Sequence, residues 1–388
     1  MGRSARCVAG LVTAAMVLGA CASDRDGSGA SAENTSPPSV SDASSVVAQC
    51  GETNPSEGTV TLWHALSGSV TLDALDELAA QMLDDTGTRL EYRRFDGEAD
   101  LLANLATATK ADQPDLVLVT DQATRALLDS ERFVHPDECD VQIVDDVVPQ
   151  VASTYSFQGR LAALPFGVST QVLVFDAARF RAAGLDPTNP PTTFDSLLDA
   201  SSTIVASGAS DYGLVATDSC AAILIPQFSA QRGVTLGSDD NGHADRMQSV
   251  ELSSPETIAD LSALRDATWA EHVKYLGPNP SGFDDLVNIT MPSDGGVMAL
   301  HTSAAVGEII ALLDNGNFKS LELGVAPLPG PGSGALIGGN ALWLRNNTDA
   351  RQLGRAWRAM EWLYAPAHLA MFDAATGYSP PTLSLIHI

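Results

Sequence analysis

Two short segments rich in serine and glycine have the composition of a small-molecule binding site. Ser67, Gly68 and Ser69 directly precede a predicted helix, and the first N–H groups and the dipole of a helix favour a phosphate. Gly338 and Gly339 are consecutive, and a backbone without Cβ atoms can approach a ligand closely. Both segments indicate capture of a ligand by hydrogen bonds, without covalent chemistry.

Motifs for catalysis are absent from the sequence. It contains no GxSxG nucleophile elbow, no Walker A motif and no HExxH metal motif. The glycine-dense residues 330–334 lie in a predicted loop, far from a strand that opens a helix, so they are a poor dinucleotide fingerprint. No cysteine or histidine spacing indicates zinc. We therefore expect no enzymatic activity, no cofactor and no metal.

The segments that must position these residues alternate between β-type and helical patterns. β-type runs cover 59–63, 89–95, 115–120, 161–166, 171–175, 296–300, 323–328 and 335–344, and helical spacing marks 71–83, 254–272, 304–313 and 349–364. This alternation predicts an α/β fold with a mostly parallel sheet. The runs 161–166 and 171–175 are expected to be separate strands around Gly167, Val168 and Ser169.

The first 20 residues have the pattern of a signal peptide. Arg3 and Arg6 precede an apolar segment, residues 7–20, that is too short to span a bilayer. Residues 18–21 read Leu-Gly-Ala-Cys, which resembles the bacterial lipobox and implies cleavage before Cys21 and lipidation of its thiol. The alternative is a plain secretory signal followed by a chance cysteine. We predict an exported protein, lipid-anchored to the outer face of the cell membrane, with residues 21–50 as lipidated cysteine and flexible tether.

Composition limits the partners of the chain. Its 388 residues include 48 acidic and 21 basic side chains, a formal charge of -27, which disfavours nucleic acids as partners. Hydrophobic residues make up 45% of the chain, enough for the cores of two ordinary domains.

Three cysteines follow the predicted lipidation site: Cys50, Cys139 and Cys220. Export makes a disulfide possible, and an odd number leaves one thiol free if the other two pair. Cys50 and Cys139 both lie in polar, turn-like segments, so we expect this pair to form the bond.

Five segments in order resemble the extracellular solute-binding proteins of bacterial ABC importers, the family that includes maltose-binding protein. They cover residues 59–64, 164–195, 296–300, 323–330 and 356–380. Three details look most like the branch that binds glycerol-3-phosphate or glycerophosphodiesters. These are Trp63 and His64 ahead of the serine-glycine turn, the run 300–305, and the run 337–343 with its two glycines.

The resemblance implies a type II periplasmic-binding-protein-like fold, with two α/β lobes joined by a hinge. Its implied domains are residues 51–166 plus 326–375 for the N-lobe, and 167–325 plus 376–381 for the C-lobe. The lobes are expected to close on a small ligand and dock on an ABC permease, with the protein a monomer. The family continues beyond the segment near residue 380, so we expect a truncated C-lobe and a non-native tail over residues 382–388.

Carried over by position, the resemblance assigns ligand contacts to ten residues. These are Trp63, His64, Ser67, Asp121, Ser169, Thr302, Ser303, Gly338, Gly339 and Tyr378. Asp121 would accept hydrogen bonds from glycerol hydroxyls, and Gly339 would donate its backbone N–H. Several of these positions also have a structural interpretation: Asp121 as a helix N-cap, Ser169 as a turn residue, the two glycines as sheet packing, and Trp63 and Tyr378 as packing residues.

One departure bears on the ligand. An aromatic position of the branch falls near residues 96–98, where this chain has acids. This disfavours a free phosphomonoester and suits a zwitterion or a sugar. The resemblance as a whole still implies an importer component for glycerol-3-phosphate or a glycerophosphodiester such as glycerophosphocholine. The alternatives are a sugar or oligosaccharide binder of the same family, and an exported lipid-anchored enzyme or sensor.

Overall fold

The computed structural model describes Cys50 and residues 58–277, 284–289, 291, 294–316, 321–347 and 349–386. The predicted signal peptide, Cys21 and the tether before Cys50 lie outside these residues. Within the described part, none of the helices combines the length and the apolar composition that a membrane span requires.

Strands β1 to β12 span Gly58–His64, Thr88–Arg94, Leu116–Thr120, Phe133–Val134, Ser156–Phe157, Arg160–Leu161, Leu164–Asp176, Leu214–Ala216, Val273–Tyr275, Met298–Thr302, Leu323–Pro327 and Ile337–Arg345. Helices α1 to α14 span Ser69–Thr86, Glu98–Thr107, Thr124–Asp129, Val141–Asp145, Pro149–Thr154, Ala177–Ala182, Phe194–Ser207, Asp218–Gln231, Pro255–Trp269, Asp284–Ile289, Ala305–Asp314, Ala350–Leu363, Pro366–Thr376 and Leu383–Ile386. Short 3-10 turns occupy Asp121–Ala123 and Pro136–Glu138, and Ser238–Asn241 is an irregular helical turn.

The main sheet is mixed, in the order β2-β1-β3-β12-β7-β10-β8-β9, with β4 beside β12 and β11 beside β7. β1 is parallel to β2 and β3, and β8 is parallel to β9 and β10. The pairings of β7 and β12 with their neighbours are antiparallel, because the chain leaves one half of the sheet along β7 and returns along β12. The α/β class is confirmed, with more antiparallel pairing at the centre of the sheet than the sequence predicted.

Residues 164–176 form one strand of 13 residues, so the prediction of two separate strands was wrong. Gly167, Val168 and Ser169 do not form a turn. They pair with Asn340, Gly339 and Gly338 of β12, respectively. The ladder with β12 gives these backbone groups partners, and this long-range pairing is not visible in the local sequence.

Buried apolar side chains form three cores, one on one side of the crossing strands and two on the other. The first core collects residues of β1, β3, α1 and α12, such as Leu62, Leu78 and Trp357. Beyond the crossing, Leu173 and Phe175 of β7 bury into one core, and Val174 between them buries into another. Successive residues of a strand point to opposite faces, so this half of the sheet is covered on both sides. We call the elements on the first core the first lobe and those on the other two cores the second lobe.

Two segments join the lobes, β7 and the stretch from β11 to β12, and residues 376–379 pass beside them between α13 and α14. Ala326 and Leu328 still pack in the second lobe, so the return crossing begins after them. Ser379 forms a β-bridge with Val168 of β7. The domain boundaries given by the resemblance stay a prediction.

Local signals explain where several helices begin. The side chain of Asp176 accepts hydrogen bonds from the N–H groups of Ala178 and Arg179 at the start of α6, and Asp349 caps α12 in the same way. Such caps replace partners that the first turn of a helix lacks. α1 is an exception, since Gly68 at its N-cap has no side chain and supplies no cap.

A disulfide joins Cys50 to Cys139, the pair favoured by the sequence, at a sequence separation of 89 and with their Cα atoms 5.3 Å apart. At the other end of the described chain, Leu385 of α14 is buried in the first core. The hydroxyl of Ser384 donates to the Asp146 carboxylate at 2.6 Å. The interpretation of residues 382–388 as a foreign tail remains a prediction, although 382–386 contact the first lobe.

Candidate functional site

β7 and β12 lie side by side where the chain crosses between the lobes, and they bring three predicted site residues together. Ser169 pairs with Gly338, and Gly339 pairs with Val168. Gly339 has a φ of +121°, and a Cβ atom there would lie 2.0 Å from the carbonyl oxygen of Gly167. Gly339 therefore has a structural reason to be glycine that is independent of any ligand.

Asp121 lies beside these glycines, at the carboxyl end of β3. Its Oδ1 accepts a hydrogen bond from the backbone N–H of Gly339 at 3.1 Å. A Cβ atom on Gly338 would lie 3.0 Å from the same oxygen, so glycine leaves room for the carboxylate. Burial raises the pKa of Asp121, and the nearby charge of Glu98 acts in the same direction. The residue is thus a partly buried acceptor of hydrogen bonds at the crossing.

Glu98 explains how the end of β3 is held. Its carboxylate accepts a hydrogen bond from the backbone N–H of Thr120 at 2.6 Å and another from the Thr120 hydroxyl at 2.8 Å. Glu98 is one of the acids found where the branch has an aromatic residue, and its role in the first lobe is to bind Thr120. It positions Thr120, and through the chain it positions Asp121.

Tyr378, in the segment that follows α13, completes the cluster. Its hydroxyl accepts a hydrogen bond from the Nδ2 amide of Asn340 at 3.1 Å, and its ring is stacked with Phe372, with ring centroids 5.7 Å apart. A Cβ atom on Gly167 would come within 3.2 Å of the Tyr378 ring, so that glycine also makes room. Burial raises the pKa of Tyr378 to about 12, which keeps the phenol neutral at physiological pH.

Two residues of this cluster escaped the sequence analysis. Asn340 directly follows the two glycines, which was the available signal for it. Tyr155 is fully buried, and its hydroxyl has no hydrogen-bond partner among the described residues. Burial raises its pKa, and the nearby charge of Asp121 acts in the same direction. Nothing in the local sequence of Tyr155 points to this position.

Thr302 and Ser303 approach the same crossing from the second lobe. The Ser303 hydroxyl accepts a hydrogen bond from the N–H of Thr170 at 3.2 Å, and the Ser303 N–H donates to the Thr170 carbonyl at 2.7 Å. Thr302 ends β10 opposite Gln171 of β7. Both hydroxyl residues are half-buried, next to the segment that carries Ser169.

Trp63 and His64 end β1, and both side chains are buried in the first lobe. Trp63 is 7% exposed and packs against Phe95, with ring centroids 5.0 Å apart. His64 is fully buried, and its Nδ1 accepts a hydrogen bond from the N–H of Leu66 at 3.2 Å. Burial, together with the positive charge of Arg94, lowers the pKa of His64 to about 4. The buried position of Trp63 fits its interpretation as a core residue, and the role of either side chain in ligand binding stays a prediction.

The start of α1 is already engaged by the chain itself. Ser67 is exposed, but the next turn meets Glu308 of α11. The hydroxyl of Ser69 donates to Oε1 of Glu308 at 2.8 Å, and the N–H of Val70 donates to Oε2 at 3.1 Å. A carboxylate of the second lobe thus occupies the helix end where the sequence predicted a phosphate.

The site as a whole is a cluster of hydrogen-bonding groups between two lobes. It contains the carboxylate of Asp121, the amide of Asn340 and the phenol of Tyr378. Serine and threonine hydroxyls and the backbone of the two consecutive glycines lie beside them. Among the described residues, no group of three or more histidine, cysteine, aspartate or glutamate side chains is arranged to hold a metal ion. This arrangement can bind a small polar molecule that bears hydroxyls.

Comparisons with known proteins agree with this description. The sequence model of the bacterial extracellular solute-binding proteins matches residues 77–386. The sn-glycerol-3-phosphate-binding periplasmic protein UgpB of Shigella flexneri is 26% identical over 339 residues, which cover 84% of this chain and 74% of that protein. UgpB of Escherichia coli strain K12 is 25% identical with the same coverage.

Solved structures share the fold at lower identity. UgpB of Mycobacterium tuberculosis in complex with glycerophosphocholine superposes with a TM-score of 0.68 at 19% identity, over 86% of this chain and 81% of that one. The GacH receptor of Streptomyces glaucescens, solved unliganded and with acarbose, gives 0.69 at 16% identity over 86% and 82%. These neighbours have the type II two-lobed fold, and the match of the sequence model covers most of the chain. The chain therefore belongs to the bacterial extracellular solute-binding proteins.

Proposed function

We propose that this protein captures a glycerophosphodiester such as glycerophosphocholine, or glycerol-3-phosphate, outside the cell and delivers it to the permease of an ABC importer. The observation that carries the proposal is the cluster of Asp121, Gly339, Asn340 and Tyr378 at the crossing between the lobes. A carboxylate can accept two hydroxyl hydrogen bonds, which matches the adjacent hydroxyls of a glycerol group.

Two further observations support this ligand class. The similar UgpB proteins are named for binding sn-glycerol-3-phosphate, and the sequence resemblance to that branch includes the two-glycine strand and the acid after β3. Ser169, Thr302 and Ser303 add hydroxyls near the cluster, and these suit the oxygens of a phosphodiester. The role is capture, so the protein needs affinity and release but no bond cleavage.

Membrane attachment is part of the same proposal. Cleavage before Cys21 and lipidation of that residue would hold the two lobes outside the membrane on the tether. The permease would then receive the closed, ligand-bound form of a monomer. Metabolic labelling with a radioactive fatty acid would test the anchor, and an unlabelled Cys21→Ser variant is the expected control.

A sugar is the second candidate ligand, favoured by the structural similarity to the acarbose-binding GacH receptor. A thermal-shift panel with glycerophosphocholine, glycerol-3-phosphate and maltotriose separates the candidates, because a ligand stabilises only the state that binds it. We expect a concentration-dependent rise in Tm with glycerophosphocholine. A rise with maltotriose alone would assign the protein to sugar uptake.

A further inference from the structure

Glu308 belongs to the second lobe but contacts the first. It lies in the first turn of α11, whose Ala305 and Ile309 are buried with Val174 in the second lobe. Its two carboxylate oxygens accept hydrogen bonds from Ser69 and Val70 of α1. Ser69 and Glu308 belong to different lobes, at a sequence separation of 239. This contact therefore exists only when the two lobes come together.

The contact places a negative charge where α1 attracts one most strongly. The first N–H groups of a helix lack internal partners and carry a partial positive charge. α1 has no acidic residue in its first turn and no side-chain cap of its own. Glu308 supplies both the charge and the missing acceptors, so the chain itself satisfies a site that would otherwise suit an anion.

The backbone fixes the position of Glu308. A Cβ atom on the preceding residue, Gly307, would lie 2.4 Å from the carbonyl oxygen of Thr376 at the end of α13. α11 can therefore approach the end of α13 this closely only because residue 307 is glycine. Tyr378 of the candidate site lies two residues beyond Thr376, so this approach brings the first turn of α11 next to the segment that carries Tyr378.

β1, which leads into α1, and β3, which leads into Asp121, are adjacent and parallel. Their carboxyl ends therefore reach the same edge of the first-lobe sheet. Asp121 follows β3, and Glu308 contacts the segment that follows β1, so both carboxylates lie at this edge. A ligand group with two negative charges is repelled by both, and a group with one or none is repelled less.

We propose that Glu308 determines the charge selectivity of the site: it excludes a terminal phosphomonoester from the start of α1 and thereby favours a phosphodiester or an uncharged polyol. This inference rests on the proposed function in that the ligand is bound where the lobes meet. Among the phosphate-bearing ligands of that proposal, the inference favours glycerophosphodiesters over glycerol-3-phosphate.

The test compares full-length protein with three variants. Glu308→Gln keeps the shape of the side chain without its charge, and Glu308→Ala removes the contact. Asp314→Asn removes a charge from the exposed end of the same helix and is the matched control. Isothermal titration calorimetry measures the affinities for glycerophosphocholine and glycerol-3-phosphate at one pH and ionic strength.

We expect both Glu308 variants to shift the affinity ratio at least tenfold toward glycerol-3-phosphate, and Asp314→Asn to leave it unchanged. A ratio within twofold of the parent protein in both Glu308 variants overturns the inference. Inorganic phosphate is a second probe: it should raise the Tm of Glu308→Ala and leave the Tm of the parent unchanged. If the parent binds neither glycerol compound, the proposed ligand is wrong, and the phosphate measurement alone then supports or refutes the role of Glu308.

Discussion

At the scale of single residues, the site depends on a carboxylate held by a backbone N–H. Asp121 and Gly339 are 218 residues apart in sequence and 3.1 Å apart at their hydrogen-bonded atoms. The resemblance predicted both residues, Asp121 after a buried strand and Gly339 in a run of two glycines. The sequence could not point to Tyr155 and Glu308, because their roles come from contacts with distant segments.

Replacement of Asp121 tests its role as the acceptor for ligand hydroxyls. Asp121→Asn keeps an oxygen for the N–H of Gly339 but loses the charge, and hydrogen bonds to charged groups contribute about 1.5–3 kcal/mol. We expect affinity for the ligand to fall about 10- to 100-fold, with little change in stability. Calorimetric titration measures the loss. The exposed Asp84→Asn in α1 is the control, and an equal loss in both variants would argue against a direct contact.

Asp373 makes the stability of the first lobe depend on pH. It is 7% exposed, neither carboxylate oxygen has a hydrogen-bond partner among the described residues, and burial raises its pKa to about 7. The folded state therefore holds a proton that the unfolded state releases near pH 4. The stability contributed by this proton is lost as pH rises through 7.

We expect the free energy of unfolding to decrease by about 1–3 kcal/mol from Asp373 alone between pH 5 and pH 8. Asp373→Asn stays neutral and should be more stable than the parent at pH 8, with a smaller difference at pH 5. Urea denaturation at both pH values gives the comparison. A variant that is less stable than the parent at pH 8 would show that the carboxyl is not neutral when buried.

At the scale of elements, the crossing of β7 and β12 determines where the site forms. The β-type run over residues 335–344 predicted β12 within a few residues of its bounds, Ile337–Arg345. The pairing of β12 with β7 could not be predicted, because a strand's partner depends on the topology of the whole sheet. For the same reason, Gly167 and Ser169 suggested a turn but lie within a continuous strand.

The close approach of β7 and β12 at Gly339 can be tested by comparison with Gly159, which lies between β5 and β6. Both have positive φ, +121° and +75°, but a Cβ atom meets Gly167 in the first case and nothing within 4 Å in the second. Gly159→Ala should cost about 1 kcal/mol from backbone strain. Gly339→Ala should cost about 2–4 kcal/mol, because it also forces β7 and β12 apart. Chemical denaturation compares the two, and equal costs would mean that the close approach of the strands is unimportant.

At the scale of the whole molecule, a loop of the second lobe reaches the first lobe. The Gln158 N–H donates to the His243 carbonyl at 2.7 Å, and Nδ1 of His243 is 2.9 Å from the Ser156 carbonyl. Arg246 forms an ion pair with Asp129 of α3 at 2.6 Å. Together with the Glu308 contact, these interactions favour the approach of the lobes, as expected for closure by a hinge.

Arg246→Ala should therefore shift the ligand-free protein toward an open arrangement. Exposed ion pairs contribute about 0–1 kcal/mol, so we expect a small increase in the radius of gyration that saturating ligand reverses. Small-angle scattering measures both states. Arg181→Ala removes an exposed ion pair with Glu322 inside the second lobe and should leave the radius unchanged. An unchanged radius in Arg246→Ala, with and without ligand, would contradict closure.

Calorimetric titration of the mature protein with glycerophosphocholine tests the central claim most directly. The account predicts one binding site per chain, a dissociation constant in the micromolar range or below, and no binding of maltotriose. Binding of maltotriose with no heat from glycerophosphocholine or glycerol-3-phosphate would contradict it.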